Sequence, residues 1–332
     1  MLLVYGFIAC AAVIVAGGMG LSKYGDVIAE KTGLGRAWIG MILLASVTSL
    51  PELTNGISSV TIAAVPDIAA GDIMGSCVFN LLTLALLDPI DKASPIFRKA
   101  GQSHLLSSAF GIALLGVASV SIMLGPLIPS FYHIGLYTPL IIFVYLAGIK
   151  LVYLYEKKVL REFVAVERAL YPHITARRAV FMYSLNALIV VGAASLLPFL
   201  AAGISEATGI GKSFMGTVFV ALTTSLPEIA VSVSAIRIGS YDLAIGNLLG
   251  SNMFNVALLA VDDIFFLKGP LLSNISEAHA ITGLMAILMT SVALLGIIYR
   301  PEKKAFLRFG WDSLAIIALG ALNIYFLSKA TS

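Results

Sequence analysis

The segment Thr48-Ser49-Leu50-Pro51-Glu52-Leu53 returns as Thr224-Ser225-Leu226-Pro227-Glu228-Ile229, and both copies lie inside long apolar stretches. A charged side chain near the middle of a bilayer costs about 2.5–3.5 kcal/mol on insertion scales, so a glutamate kept there points to function. Two of them, in matched settings and each next to a proline, demand a fold of two like halves with polar groups at their interface.

Composition sets the solvent. Of 332 residues, 59% are hydrophobic and 12% charged, whereas a soluble domain carries about 25% charged residues. Mean hydropathy is +0.98. Runs of about 20 apolar residues, the length a helix needs to span a bilayer, recur along the whole chain. The chain reads as an all-α polytopic membrane protein. Cys10 and Cys77 each fall in an apolar segment, so they make no disulfide framework, and four scattered histidines make no zinc pattern. Leu2 to Ala16 is apolar but lacks the basic start of a leader, and it is needed to complete the first half, so it is expected to be the first helix. The net charge of +3 carries little meaning by itself. No nucleic acid, no cofactor and no obligatory protein partner is implied; the lipid bilayer is.

The duplication extends well beyond one motif. At a spacing of 176 residues, Glu30, Thr32-Gly33-Leu34-Gly35 and Gly40 match Glu206, Thr208-Gly209-Ile210-Gly211 and Gly216. Past the glutamate the spacing becomes 175, and Gly75-Ser76-Cys77-Val78-Phe79-Asn80 matches Gly250-Ser251-Asn252-Met253-Phe254-Asn255. Asp67 and Asp242, Gly71 and Gly246, Asp88 and Asp263, Pro95 and Pro270, and His104 and His279 keep that register.

Hydropathy predicts ten transmembrane helices, near 2–21, 36–65, 67–88, 103–125, 135–155, 179–203, 212–237, 242–262, 277–299 and 311–328. This divides the chain into a five-helix repeat over 1–155, a linker over 156–178 and a second five-helix repeat over 179–332. Five helices per half force the second copy to enter the membrane upside down, an inverted repeat. With alternate loops assigned to one side, 18 of the 21 Lys and Arg residues collect there. Basic residues mark the cytoplasmic face, so both termini are expected outside the cell, with the chain in the plasma membrane. The linker, with mixed charges at helical spacing, reads as a solvated extension of the fifth helix and is too short for a regulatory domain.

Proline in a helix supplies no N–H and clashes with the carbonyl four residues back. Pro51 and Pro227 therefore free the carbonyls of Val47 and Thr223, which in a bilayer must find partners inside the protein, in water or in an ion. Thr48, Ser49, Thr224 and Ser225 add neutral oxygens beside them, and Glu52 and Glu228 add charge. Hard oxygens of mixed charge suit Ca²⁺, and Na⁺ by the same reasoning. The plainer alternative, proline kinks packed by Ser and Thr, leaves the two glutamates unexplained. In the second motif, Ser76 with Asn80 and Ser251 with Asn255 stand four apart, on one helix face. Asp72 and Asn247 extend that stripe by another turn, and nearby glycines permit close helix approach. Asn252 reads as interhelical glue, Cys77 as a small packing residue, His104 and His279 as interfacial packing, and Arg36 and Lys212 as interfacial anchors.

The paired Thr-Ser-Leu-Pro-Glu and Gly-Ser-x-x-Phe-Asn blocks resemble the α-repeats of the cation/calcium antiporter superfamily, most closely its sodium/calcium exchangers of the prokaryotic type without a large regulatory loop. The resemblance implies ten helices in inverted repeats and Na⁺-driven Ca²⁺ transport by alternating access. It implies site oxygens from Thr48, Ser49, Glu52, Ser76 and Asn80 with Thr224, Ser225, Glu228, Ser251 and Asn255. The proton-coupled branch typically shows Gly-Asn-Ala shortly before its glutamate; Thr-Ser-Leu-Pro stands here and favours Na⁺. Some relatives carry aspartate where this chain has Asn80 or Asn255, which leaves two glutamates as the central charge. Asp72 either supplies a further negative charge or guards an access path. The first and sixth helices, rich in small residues and free of mid-membrane charge, are candidates to slide across the rest. A proton-coupled exchanger is the nearest alternative, since a buried glutamate can carry a proton. A cation channel would need no counter-ion and does not call for two-fold sequence symmetry. No metalloprotease or nucleophile motif argues for an enzyme.

Overall fold

The computed structural model describes residues 2–91, 94–162, 170–208 and 224–330. Its helices are α1 (Leu2–Thr32), α2 (Arg36–Ile39), a π-helical turn at Gly40–Leu44, α3 (Ala45–Thr48), α4 (Leu50–Thr61), α5 (Pro66–Leu86), α6 (Ser103–Leu124) and α7 (Tyr137–Glu162). They continue as α8 (Ala176–Thr208), α9 (Leu226–Arg237), α10 (Tyr241–Phe265), α11 (Ala278–Tyr299) and α12 (Trp311–Ala330). A two-stranded hairpin, Ser130–Phe131 against Ile134–Gly135, joins α6 to α7. Among the described residues eight helices are long and apolar enough to cross a membrane, and nine if the bent run Arg36–Thr48 plus Leu50–Thr61 is one span. This is a helical, polytopic architecture. Of the expected seventh helix at 212–237, residues 212–223 lie outside the described residues, and with them the anchor reading of Lys212.

Several helix ends depart from the hydropathy reading. The first helix does not stop near residue 21 but runs on to Thr32. Its last turns are polar, and the fold gives them partners: Asp26 accepts from Arg36 Nε at 2.6 Å and from Ser240 Oγ at 2.7 Å. Arg36 is therefore an ion-pair partner of Asp26, not simply a snorkelling anchor. Hydropathy fades where charges begin, whereas the backbone ladder does not. The span expected at 36–65 breaks at Ser49, where the axis bends by 44°, and ends at Thr61. The fifth helix continues to Glu162, as a solvated extension would, and α8 begins at Ala176, before the expected 179.

The centre of the molecule is α5 and α10, the two most enclosed spans, while α1 and α8 lie along each other at the periphery. Close approach is built into α10. A Cβ at Gly250 would stand 2.5 Å from Met41 Cα, and one at Gly246 would stand 2.5 Å from the Ala37 carbonyl oxygen. Only glycine lets the backbone of α10 reach that of α2 and the π-turn, the small-residue packing that membrane helices use where apolar burial cannot drive association.

The ends of α5 and α10 are held alike. Asp88 accepts from the N–H groups of Ile96 at 2.9 Å and Gly310 at 2.6 Å, and from Ser313 Oγ at 3.0 Å. Asp263 accepts from the N–H groups of Leu271 at 2.6 Å and Gly135 at 3.0 Å, and from Thr138 Oγ1. At the opposite ends, Asp67 contacts His279 Nε2 at 3.1 Å and Asp242 contacts His104 Nε2 at 3.0 Å. The two histidines thus do more than pack: each holds the start of a helix from the other half. Every one of these contacts in the first half has its counterpart 175 residues later.

Candidate cation-binding site

Two local breaks position the site. Ser49 (φ −91°, ψ 12°) and Ser225 (φ −78°, ψ 2°) both leave helical geometry directly before the Leu-Pro-Glu of α4 and α9. These angles fall near the sparsely populated bridge region where many functional residues sit. Each proline then occupies the first turn of the next helix, where a missing N–H costs nothing. Each glutamate enters that turn, with its carboxylate at the positive end of the helix. A π-turn at Gly40–Leu44 precedes the first break; such turns inside helices frequently mark functional sites.

Around the breaks, polar side chains from both halves meet with almost no exposure. Thr48, Ser49, Glu52, Ser76, Asn80, Thr224, Ser225, Glu228, Ser251 and Asn255 are buried, and Asp72 and Asn247 with them. Ser49 Oγ donates to Glu228 Oε1 at 2.9 Å, and Ser251 Oγ stands 3.4 Å from the same oxygen. Ser76 Oγ lies 3.4 Å from Glu52 Oε1 and accepts from Ser225 Oγ at 3.2 Å. One turn away, Thr48 Oγ1 reaches Asn247 Oδ1 at 3.4 Å, and Thr224 Oγ1 donates to Asp72 Oδ1 at 3.0 Å. Threonine and serine of each half therefore serve the polar stripe of the other.

Four oxygens in this cluster have no hydrogen-bond partner among the described residues: Glu52 Oε2, Asn80 Oδ1, Glu228 Oε2 and Asn255 Oδ1. They form two matched sets, one glutamate and one asparagine from each half. Glu52 lies within electrostatic reach of both Glu228 and Asp72. The Asn255 amide nitrogen is likewise unpartnered among the described residues. Orphaned buried acceptors are rare because each forfeits its hydration, and carboxylate, amide and hydroxyl oxygens gathered in one place are the ligand type of a hard cation.

The remaining sequence candidates are placed as follows. Val47 is half-buried, and its carbonyl, to which Pro51 offers no N–H, is not left free as expected: it accepts a capping backbone N–H at the break and has one lone pair to spare. Thr223 lies outside the described residues. Asn252 bridges the halves: it accepts from Asn80 Nδ2 at 3.0 Å and donates to the Cys77 carbonyl at 3.1 Å. Cys77 is a buried packing residue. Sequence reasoning missed Asn55, whose Nδ2 donates to Asp72 Oδ2 at 2.6 Å, and Ser232, which accepts from Asn247 at 3.1 Å. Neither repeats at its counterpart position, so the duplication that exposed the other residues passed them over.

Comparison with known proteins identifies the family. The family model described as sodium/calcium exchanger protein matches residues 2–165 and 178–329. CaxA of Alkalimonas amylolytica is 28% identical over 242 residues, covering 71% of this chain and 72% of CaxA. The sodium/calcium exchanger MaX1 of Methanosarcina acetivorans is 44% identical over 63 residues, 19% of this chain and 18% of MaX1. The sodium-calcium exchanger NCX_Mj, solved after soaking with 100 mM Na⁺ and 10 mM Sr²⁺, superposes with a TM-score of 0.74 at 19% identity, covering 98% of both chains. With the family model spanning nearly the whole chain, this integral membrane protein belongs to the sodium/calcium exchanger family of cation antiporters.

Proposed function

We propose that this chain exchanges Na⁺ for Ca²⁺ across the cell membrane by alternating access, with ions bound near the midplane between two inverted five-helix repeats. On this reading the chain has ten spans, the halves are 1–155 and 179–332, and both termini face outward. The recurrence at one spacing of the Asp67–His279 and Asp242–His104 pairs, and of the Asp88 and Asp263 caps, supports two structurally equivalent halves. The segregation of Lys and Arg supports the inversion.

The observation that carries the function is the set of four unpartnered buried oxygens, two from each half. Around them, Thr48, Ser49, Ser76, Thr224, Ser225 and Ser251 supply hydroxyl oxygens. The backbone carbonyls of Val47 and Thr223 and the Asp72 carboxylate complete the candidate ligand set. One Ca²⁺, or Na⁺ ions entering overlapping positions, would neutralise Glu52 and Glu228. Without either, two desolvated negative charges face each other, an arrangement that costs several kcal/mol. The empty carrier then switches poorly and each loaded form readily, which makes exchange obligatory. The peripheral pair α1 and α8 is the candidate sliding element because it packs mainly on itself; its movement would break the Ser22 Oγ bond to the Val231 carbonyl of α9 at 2.7 Å.

Glu52→Gln and Glu228→Gln, reconstituted in vesicles, test the reading. Each is expected to abolish Na⁺-dependent Ca²⁺ flux while remaining folded and monodisperse. Exchange at the parent rate in either variant removes the glutamates from the site.

A further inference from the structure

Asp262 is a buried carboxylate that this site does not use. Asp262, on α10 two turns beyond Asn255, is 0% exposed, and neither of its oxygens has a hydrogen-bond partner among the described residues. It is aimed at α4. A Cβ at Gly56 would stand 2.4 Å from Asp262 Oδ2 and 2.7 Å from Oδ1, so glycine there makes room for the carboxylate. Gly56 is one turn past Glu52 and directly follows Asn55, the residue that holds Asp72 Oδ2 at 2.6 Å. Two acids and one amide thus gather beside the Glu52–Glu228 centre, with Asp72 common to both.

These groups break the two-fold pattern, and all on one side of the centre. At the spacings that pair the rest of the halves, Asp262 corresponds to Leu87, Asp72 to Asn247 and Asn55 to Val231. The equivalent region across the centre has lost every charge. A random scatter of acids would not cluster so. An unpartnered carboxylate buried in apolar surroundings, as Asp262 is among the described residues, must either take a proton or bind a cation. The Asp72 carboxylate, held by Thr224 and Asn55, adds the oxygens of a divalent-cation donor set.

We infer that Asp262, Asp72 and Asn55 form a second Ca²⁺-binding position, a station on one access route to the centre, with no equivalent on the other route. This inference rests on the exchange reading for its use, though not for its existence. On the topology proposed above, all three lie in the outer half of the membrane, so the station faces the outside.

Equilibrium dialysis of radiolabelled Ca²⁺ against the purified full-length protein in Na⁺-free detergent tests it. The parent is expected to bind two equivalents per chain. Asp262→Asn is expected to lose one equivalent, Asp262→Glu to regain it, and Glu228→Gln to keep the equivalent that Asp262→Asn loses. A monodisperse Asp262→Asn protein that binds as much Ca²⁺ as the parent overturns the station, as does a parent that binds one equivalent removed by Glu228→Gln. Loss in Asp262→Asn with full binding in Glu228→Gln would uphold the station and count against the central site instead, so the two ideas fail separately.

Discussion

Ser49, in the break between α3 and α4, donates its hydroxyl to Glu228 Oε1 of the opposite half at 2.9 Å. The counterpart of Ser49, Ser225, does not reach Glu52 directly but goes through the hydroxyl of Ser76. The two glutamates are therefore equivalent in sequence yet differently held, Glu228 with two hydroxyls on one oxygen and Glu52 with one. Such inequality suits a site that takes different ions in overlapping positions.

From this contact, Ser49→Ala is expected to weaken Ca²⁺ binding more than Ser225→Ala. A hydrogen bond to a charged group contributes about 1.5–3 kcal/mol, or roughly tenfold and upward in affinity. Titration of Ca²⁺ into the two purified variants measures the difference, and equal affinities would dismiss the inequality.

Asn252 is predicted to be structural. Asn252→Ala leaves the Asn80 amide without its partner and removes the second donor to the Cys77 carbonyl, at about 1–3 kcal/mol for the stranded amide. The midpoint of thermal unfolding should fall by several degrees, with measurable exchange surviving at low temperature. A fully stable but inactive Asn252→Ala protein would place this residue among the ligands instead.

Close backbone contact leads to a different expectation for Gly250→Ala. Its new methyl would meet Met41 Cα at 2.5 Å, backbone that cannot step aside cheaply, and overpacking of this kind costs about 1–3 kcal/mol. Lower thermal stability with reduced exchange is expected; unchanged stability would mean that the π-turn moves freely against α10.

Topology is open to direct labelling. Single cysteines replacing Lys303 and Ser328, in a Cys10→Ser/Cys77→Ser background, should differ in intact cells: a membrane-impermeant thiol reagent is expected to label position 328 and not 303. The reverse pattern would turn the whole molecule over.

The sequence made the centre legible because it states the site twice. Glu52 with Glu228, and Ser76–Asn80 with Ser251–Asn255, stood out only because an apolar background made each polar match improbable. Residues without a counterpart were invisible by the same logic: Asn55, Ser232 and above all Asp262, a lone acid next to the capping Asp263. Helix ends were read short wherever polar residues begin before the helix stops, as in the last turns of α1, where Asp26 finds its partners in Arg36, Ser240 and Tyr171, all outside that helix. The second span was read as one helix over 36–65 with a proline inside it; the chain instead breaks at Ser49, since a proline fits the first turn of a new helix better than the interior of an old one.

The most direct test of the central claim is Ca²⁺ uptake into proteoliposomes loaded with Na⁺, beside matched vesicles carrying only a pH gradient, with Glu52→Gln as the control. The account predicts uptake that requires internal Na⁺ and disappears in the variant. Uptake driven by the pH gradient alone, or leak with no counter-ion at all, would contradict it.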